Sequence, residues 1–426
     1  MKPIAWSLVL VAAALSACSL QFGPSGTWGN PEHLPSSLEG TTPVVATDGE
    51  ILFLGRNTTV LRFDPLTDRW SDGAPMPVDE NGFSVVALSN GLVLVAGGNR
   101  VGFAGPIATT LLYNPQRNAW TEAGNLQVAR ADAAAVELAD GRVLLAGGSV
   151  PLATPVQLPD GSASTTGFTT TAETFDPQSN AWSEVGSMKV ARGSMTLVAL
   201  RHGGALAAGG CPFASQAHNT GDALSTAEVF SPVTGAWAPT QSMPEARCGG
   251  SGLLLRDGRT LVVGGSPSNV QLGYVNDAIV YDEDKRAWTR AGSTVSGASA
   301  PVLLPGGEVF LAAVQAGEPN GHLVPLVVGG QIFDPASGEW SFATSISVPV
   351  AFQPGLENLR PLVDLSGRTA VVLLGMADVA LAFDPQGTPP PGLILDSSGL
   401  ALILGAVAAA LCLMLAAQYI RNRIRE

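Results

Sequence analysis

An all-β fold assembled from a repeated unit of four short strands is what the sequence predicts, and three observations predict it. An aromatic-Asp-Pro element or a close variant occurs seven times: Phe63-Asp64-Pro65, Tyr113-Asn114-Pro115, Phe175-Asp176-Pro177, Phe230-Ser231-Pro232, Tyr281-Asp282-Glu283, Phe333-Asp334-Pro335 and Phe383-Asp384-Pro385. Six of these are followed, six residues beyond the Asp position, by a tryptophan: Trp70, Trp120, Trp182, Trp237, Trp288 and Trp340. Four units also close an apolar run with a diglycine, at Gly97-Gly98, Gly147-Gly148, Gly209-Gly210 and Gly264-Gly265. Successive Asp positions lie 50, 62, 55, 51, 52 and 50 residues apart. A period near 50 belongs to units that each fold as one small sheet and bury their faces on their neighbours.

Each element of the unit has a local reason. Ser89-Asn90-Gly91, Asp140-Gly141 and Asp257-Gly258 separate pairs of short β-rich runs, which marks a hairpin of strands A and B. The diglycine ends strand B, where backbones crowd and φ turns positive. Strand C carries the aromatic residue. The Asp-Pro that follows makes a second tight turn, because Pro fixes φ and Asp bonds the backbone beyond it. Strand D begins at about the Trp. The A–B and C–D turns then share one end of the unit, and the B–C and D–A loops share the other. Residues 99–110, 149–171, 211–226, 266–277 and 314–329 are all B–C connections, so nearly all length variation falls at that second end.

Diglycine, spaced aromatic and Trp together resemble the kelch-repeat family over about residues 27–385. The resemblance implies a seven-bladed β-propeller whose aromatic and Trp residues are core between blades. Gly55-Arg56, Ala312-Ala313 and Gly375-Met376 depart from the diglycine pattern, and less regular blades are expected there. The last unit has no Trp, while Trp28 has no aromatic-Asp-Pro before it. The strand around Trp28 is therefore expected to close the last blade and remove an open sheet edge.

The ends point to a membrane. Residues 1–17 read as a signal peptide, and Leu15-Ser16-Ala17-Cys18 looks like a lipobox that would lipidate Cys18. Residues 18–26 form a tether and 386–398 a Pro/Gly linker. Residues 399–420 contain no charge, and at 1.5 Å per residue they can cross a hydrocarbon core of roughly 30 Å. The basic tail 421–426 places the C-terminus in the cytoplasm and the propeller outside it. Both connections would leave from the tight-turn end, so the long loops would point away from the membrane. The formal charge is −13, and without Lys2 and the tail it is −16, which argues against nucleic acid as a partner.

Candidate site residues are few. Arg130, Arg192 and Arg247 recur at the D–A position of three successive units, with Glu80 at that place in an earlier one. They read either as inter-blade pairs or as a basic crescent for an anionic ligand such as an acidic sugar. Cys211 and Cys248 fall at the loop end of adjacent blades, and a disulfide there would contribute about 4 kcal/mol on the chain-entropy model. His33, His218 and His322, with Asp222, lack tight ligand spacing. A copper-radical oxidase site needs more tyrosines than Tyr274, since Tyr113 and Tyr281 are repeat aromatics and Tyr419 lies in the apolar span. No nucleophile-elbow, P-loop, zincin or dinucleotide motif occurs. No catalytic residue, metal or cofactor is assigned. The expected function is non-catalytic docking of a protein or glycan by the membrane-distal loop face. The alternatives are a carbohydrate-active enzyme of epimerase, lyase or oxidase type, or a structural subunit of a membrane assembly.

Overall fold

The computed structural model describes residues 27–28, 32–33, 38, 41–55, 58–64, 67, 69–102, 105–157, 163–212, 223–267, 275–294, 300–316, 323–351, 362–366, 369–374 and 379–384. The signal peptide, Cys18, the linker, the apolar span and the basic tail lie outside the described residues. Among the described residues no helix is long and apolar enough to cross a membrane.

The chain folds as a β-propeller. Six blades are each complete within one contiguous stretch, rather than seven. Blade I is Thr42–Val45, Ile51–Leu54, Val60–Asp64 and Arg69–Asp72, hydrogen-bonded in that order. Blades II (84–122), III (134–185), IV (196–239) and V (251–293) repeat the antiparallel order from inner to outer strand. Blade VI (302–342) carries a fifth strand, Ile346–Ala351, paired with Leu323–Asp334. A further sheet is composite. Its strands Leu362–Ser366, Thr369–Leu374 and Val379–Asp384 come late in the chain, while Thr27–Trp28 and Glu32–His33 pair on the last of them. Trp28 registers with Phe383, as Trp70 does with Phe63 and Trp120 with Tyr113. The inner strand of this sheet lies against the inner strands of blades I and VI.

Strand burial explains the order. The second strand of blades I to V is buried along its whole length, as in Ile51–Leu54, Val143–Ala146 and Thr260–Val263, and Thr260 is the one polar residue among them. In the outer strands the Trp turns inward and the residues on either side of it are exposed. The Trp of each contiguous blade stacks at a tilt on the cross-strand aromatic of its own blade, with ring centroids 4.7 to 5.2 Å apart. In four blades the indole also reaches the preceding blade, as where Trp120 Nε1 donates to Ala74 O at 2.8 Å and Trp288 Nε1 to Gln241 O at 2.8 Å, whereas Trp237 Nε1 has no partner among the described residues. These residues are core and inter-blade stitching, which leaves them no face for a ligand.

The diglycine has a specific cause. Gly97, Gly147 and Gly209 all have φ near +65°, and a Cβ on any of them would stand 2.3 or 2.4 Å from the carbonyl of Arg130, Arg192 or Arg247 in the next blade. The second glycine of each pair donates its N–H to that same carbonyl, at 2.8 to 3.1 Å. Where Ala312-Ala313 replaces the diglycine, the strand does not end. It continues as Val309–Ala316 against the long strand Leu323–Asp334, because Ala resists the positive φ that would turn it away. The irregularity of blade VI thus starts where two methyl groups stand in place of the diglycine.

Candidate functional site

At the loop end, one backbone position repeats in blades II to V. Asn81 pairs with Asn99 as Ala131 does with Ser149, Gly193 with Cys211 and Cys248 with Ser266. The preceding residues Glu80, Arg130, Arg192 and Arg247 therefore start from equivalent places. The three arginines are 0–1% exposed. Arg130 Nη1 donates to Gly147 O and Thr171 O at 3.1 and 3.0 Å, and Nη2 to Thr171 Oγ1 and Glu173 Oε1 at 3.0 and 2.8 Å. Arg192 repeats the set on Gly209 O, Thr226 O, Thr226 Oγ1 and Glu228 Oε1. Arg247 meets Gly264 O and Asp277 Oδ1 instead, and Asp277 also receives Arg290 Nη1 at 3.1 Å. Burial lowers the pKa of Arg130 and Arg192, and the facing Glu173 and Glu228 oppose that shift. The crescent expected to greet an anion does not face solvent. Its guanidinium groups turn into their own blades, where the carbonyls of the diglycine and strand C take up their N–H groups.

The carboxylates are committed as well. Glu173 accepts the N–H groups of Gln127 and Val128, and Glu228 those of Lys189 and Val190, so each pair also pins the loop that enters its blade. Glu80 is different. It is 2% exposed, and among the described residues neither of its carboxyl oxygens has a hydrogen-bond partner. Desolvation pushes its pKa up to about 8, against a lowering by Arg100.

Two residues further along lies a feature that the sequence reading missed. Gly82, Asp132, Ser194 and Gly249 occupy one position in blades II to V, and all four have φ between 47° and 72°. Asp132 N donates to Gly82 O at 2.7 Å and Gly249 N to Ser194 O at 2.8 Å, so this inner rim links neighbouring blades. Asp132 and Ser194 hold the left-handed conformation without being glycine, a strain that clusters at functional sites. A Cβ at Gly82 would lie 2.7 Å from Asp132 Oδ1, and desolvation raises the pKa of that carboxyl. The signal was present in the sequence as a small or Asx residue two places after each Arg.

The same end carries the long loops. Ser149–Gln157 and Ala163–Phe168 form a hairpin whose Phe168 ring lies on Gly193, beside Ser194 in the next blade. Cys211 and Cys248 are joined in a disulfide across blades IV and V, with Cα atoms 5.1 Å apart. His218, Asp222, Tyr274 and His322 lie outside the described residues, and His33 sits in the strand paired with Val379–Asp384. Among the described residues no group of three or more His, Cys, Asp or Glu could hold a metal ion. Among the described residues the opposite end has only turns. There a shallow cavity of about 180 Å³ is lined by Arg201, His202, Asp257, Arg259, Glu283 and Asp284, with His202 Nδ1 3.2 Å from Glu283.

No protein-family model matches the chain, and no curated protein shows significant similarity to it. Solved structures do resemble it. A novel fungal alcohol oxidase of the AA5 family, in complex with copper, is 16% identical with a TM-score of 0.60, over 86% of this chain and 79% of that one. The structure of YjhT is 14% identical with a TM-score of 0.51, over 73% of this chain and 99% of that one. At such identities the likeness establishes the β-propeller architecture and nothing about chemistry.

Proposed function

We propose that this chain is a seven-bladed kelch-type propeller, with the composite sheet as its closing blade, that works as a non-catalytic docking module for a protein or glycan. One observation carries the reading: the elaboration of the blades, as long hairpins, extended strands and an inter-blade disulfide, gathers at one end. The left-handed rim at Asp132 and Ser194, the hairpin ending at Phe168, the disulfide and the extended strands of blade VI are all there. A rigid scaffold with variable loops at one end is the usual arrangement for recognition. In this proposal the signal peptide, a lipid on Cys18 and the apolar span hold the propeller at a membrane, outside the cytoplasm, with its tight turns inward.

The test is photo-cross-linking in intact cells from single positions at each end. Val156 is 53% exposed in the hairpin and Val233 is 93% exposed on a turn at the other end. Discrete adducts from Val156 with none from Val233 are expected, and equal labelling from both would overturn the assignment of the working face. A second reading, a carbohydrate-active enzyme, is favoured by Asp132, a strained residue whose raised pKa suits an acid. The oxidase neighbour is a copper protein, and among the described residues no group of three or more His, Cys, Asp or Glu could hold such an ion. Turnover of an acidic sugar that disappears in Asp132→Asn would favour this reading over docking.

A further inference from the structure

Blade II breaks the electrostatic rule that blades III to V obey. In blades III and IV a buried guanidinium faces two carbonyl oxygens, a threonine hydroxyl and a glutamate. The registers of blade II place Gly97 and Thr109 where blade III has Gly147 and Thr171: Gly97 N donates to Thr109 O at 2.9 Å, as Gly147 N does to Thr171 O at 3.1 Å. Leu111 pairs with Val95 as Glu173 does with Leu145, so the acidic residue of strand C has become leucine. Glu80 stands at the arginine position. The guanidinium has gone from this position and the carbonyls it would satisfy remain; the one carboxyl there is buried with neither oxygen hydrogen-bonded among the described residues, and Arg100, opposite it on the paired strand, acts on it only through space. Glu also lacks the three outer atoms of a guanidinium, Cζ, Nη1 and Nη2.

We propose that the Glu80 slot is a binding site for calcium, held by the Glu80 carboxylate, the carbonyl oxygens of Gly97 and Thr109, and the Thr109 hydroxyl. The cation takes the part of the guanidinium that the other blades supply from their own sequence. The donors are all oxygen, the set that suits a hard cation of about six to eight ligands, with water completing the shell. A single carboxylate among mostly neutral donors sets a weak site, in the range of about 10⁻⁴ to 10⁻³ M seen in extracellular modules. Such a site needs only one acidic side chain, because two of its four protein ligands are main-chain carbonyls and a third is a hydroxyl.

The experiment uses the purified full-length chain in chelator and in millimolar calcium chloride. It compares the native protein with Glu80→Gln and with the double variant Glu80→Arg, Leu111→Glu, which rebuilds the ion pair of blade III. Calcium should raise the native midpoint by about 3 °C and bind at one equivalent by equilibrium dialysis. Neither variant should gain, and the double variant should melt at or above the native midpoint in chelator. Should Glu80→Gln fail to fold, the double variant supplies the comparison. A native midpoint indifferent to calcium, or the same gain in either variant, would overturn the proposal.

Discussion

Blades II and III share a backbone and differ in what they bury at one position. Arg130 in blade III is satisfied by four oxygens, one of them charged, whereas Glu80 in blade II reaches no partner among the described residues. Blade I gives a third solution. Counting eight residues back from the first turn of each inner hairpin, the series runs Leu38, Glu80, Arg130, Arg192, Arg247, and Leu38 is 2% exposed. The slot itself therefore does not demand charge. It tolerates an apolar side chain or a complete ion pair, and the difference teaches that the arginines are kept as matched sets with their carboxylates. Replacing a buried pair by apolar groups is often neutral, while removing one partner is not.

That comparison can be broken most forcefully at Arg192. Arg192→Ala leaves Glu228 buried with an uncompensated charge and should cost about 3–5 kcal/mol in denaturant unfolding. The double variant Arg192→Leu, Glu228→Leu should recover most of the loss, as blade I suggests. A single variant costing less than about 1 kcal/mol would show that the pair is not structural. Next in size is the disulfide between Cys211 and Cys248, which ties the rims of blades IV and V. Reduction, or Cys248→Ser, should cost about 2–4 kcal/mol, read as a lower midpoint that does not change further on adding reductant.

The orphan carboxyl of blade II sharpens the comparison through pH. In chelator Glu80 holds its proton up to about pH 8 when folded, against an ordinary 4.5. A carboxyl of raised pKa stabilises the fold below its unfolded value, and that contribution disappears as pH rises from 4.5 to 8. The midpoint should fall across this window, and Glu80→Gln should flatten the profile; an unchanged slope in that variant would place the titration elsewhere. The smallest effect is expected at the other end of the molecule. Arg142 and Asp140 pair at 2.7 Å but are 34% and 42% exposed, so Asp140→Asn should shift stability by no more than about 1 kcal/mol. A larger loss would implicate the bond from Arg142 to Pro232 O in the next blade.

Much of the architecture was legible in the chain. The Asp-Gly hairpins, the Asp-Pro turns and the Trp six residues on each specify a local conformation through their own side chains, so strand order within a blade follows from sequence. Trp28 declared a missing strand, and the structure pairs it with Phe383. Other features were out of reach. The break at Ala312-Ala313 was visible as a departure, but its result, a strand running on into a five-stranded sheet, depends on the chain beyond it. The rim at Asp132 and Ser194 was overlooked because its signal, a small or Asx residue two places after each Arg, is equally the letter of an ordinary turn.

By itself the sequence determined the repeat, the strands and the turns that join them, because those depend on residues a few places apart. Whether an arginine binds a ligand or fastens a blade depends on groups 34 to 43 residues away that only the sheet register brings within 3 Å. The tertiary structure decided that Arg130, Arg192 and Arg247 face inward and that Glu80 has no hydrogen-bond partner among the described residues. Burial and pairing are properties of the assembled ring, and the charge on a side chain does not by itself say which way it will turn.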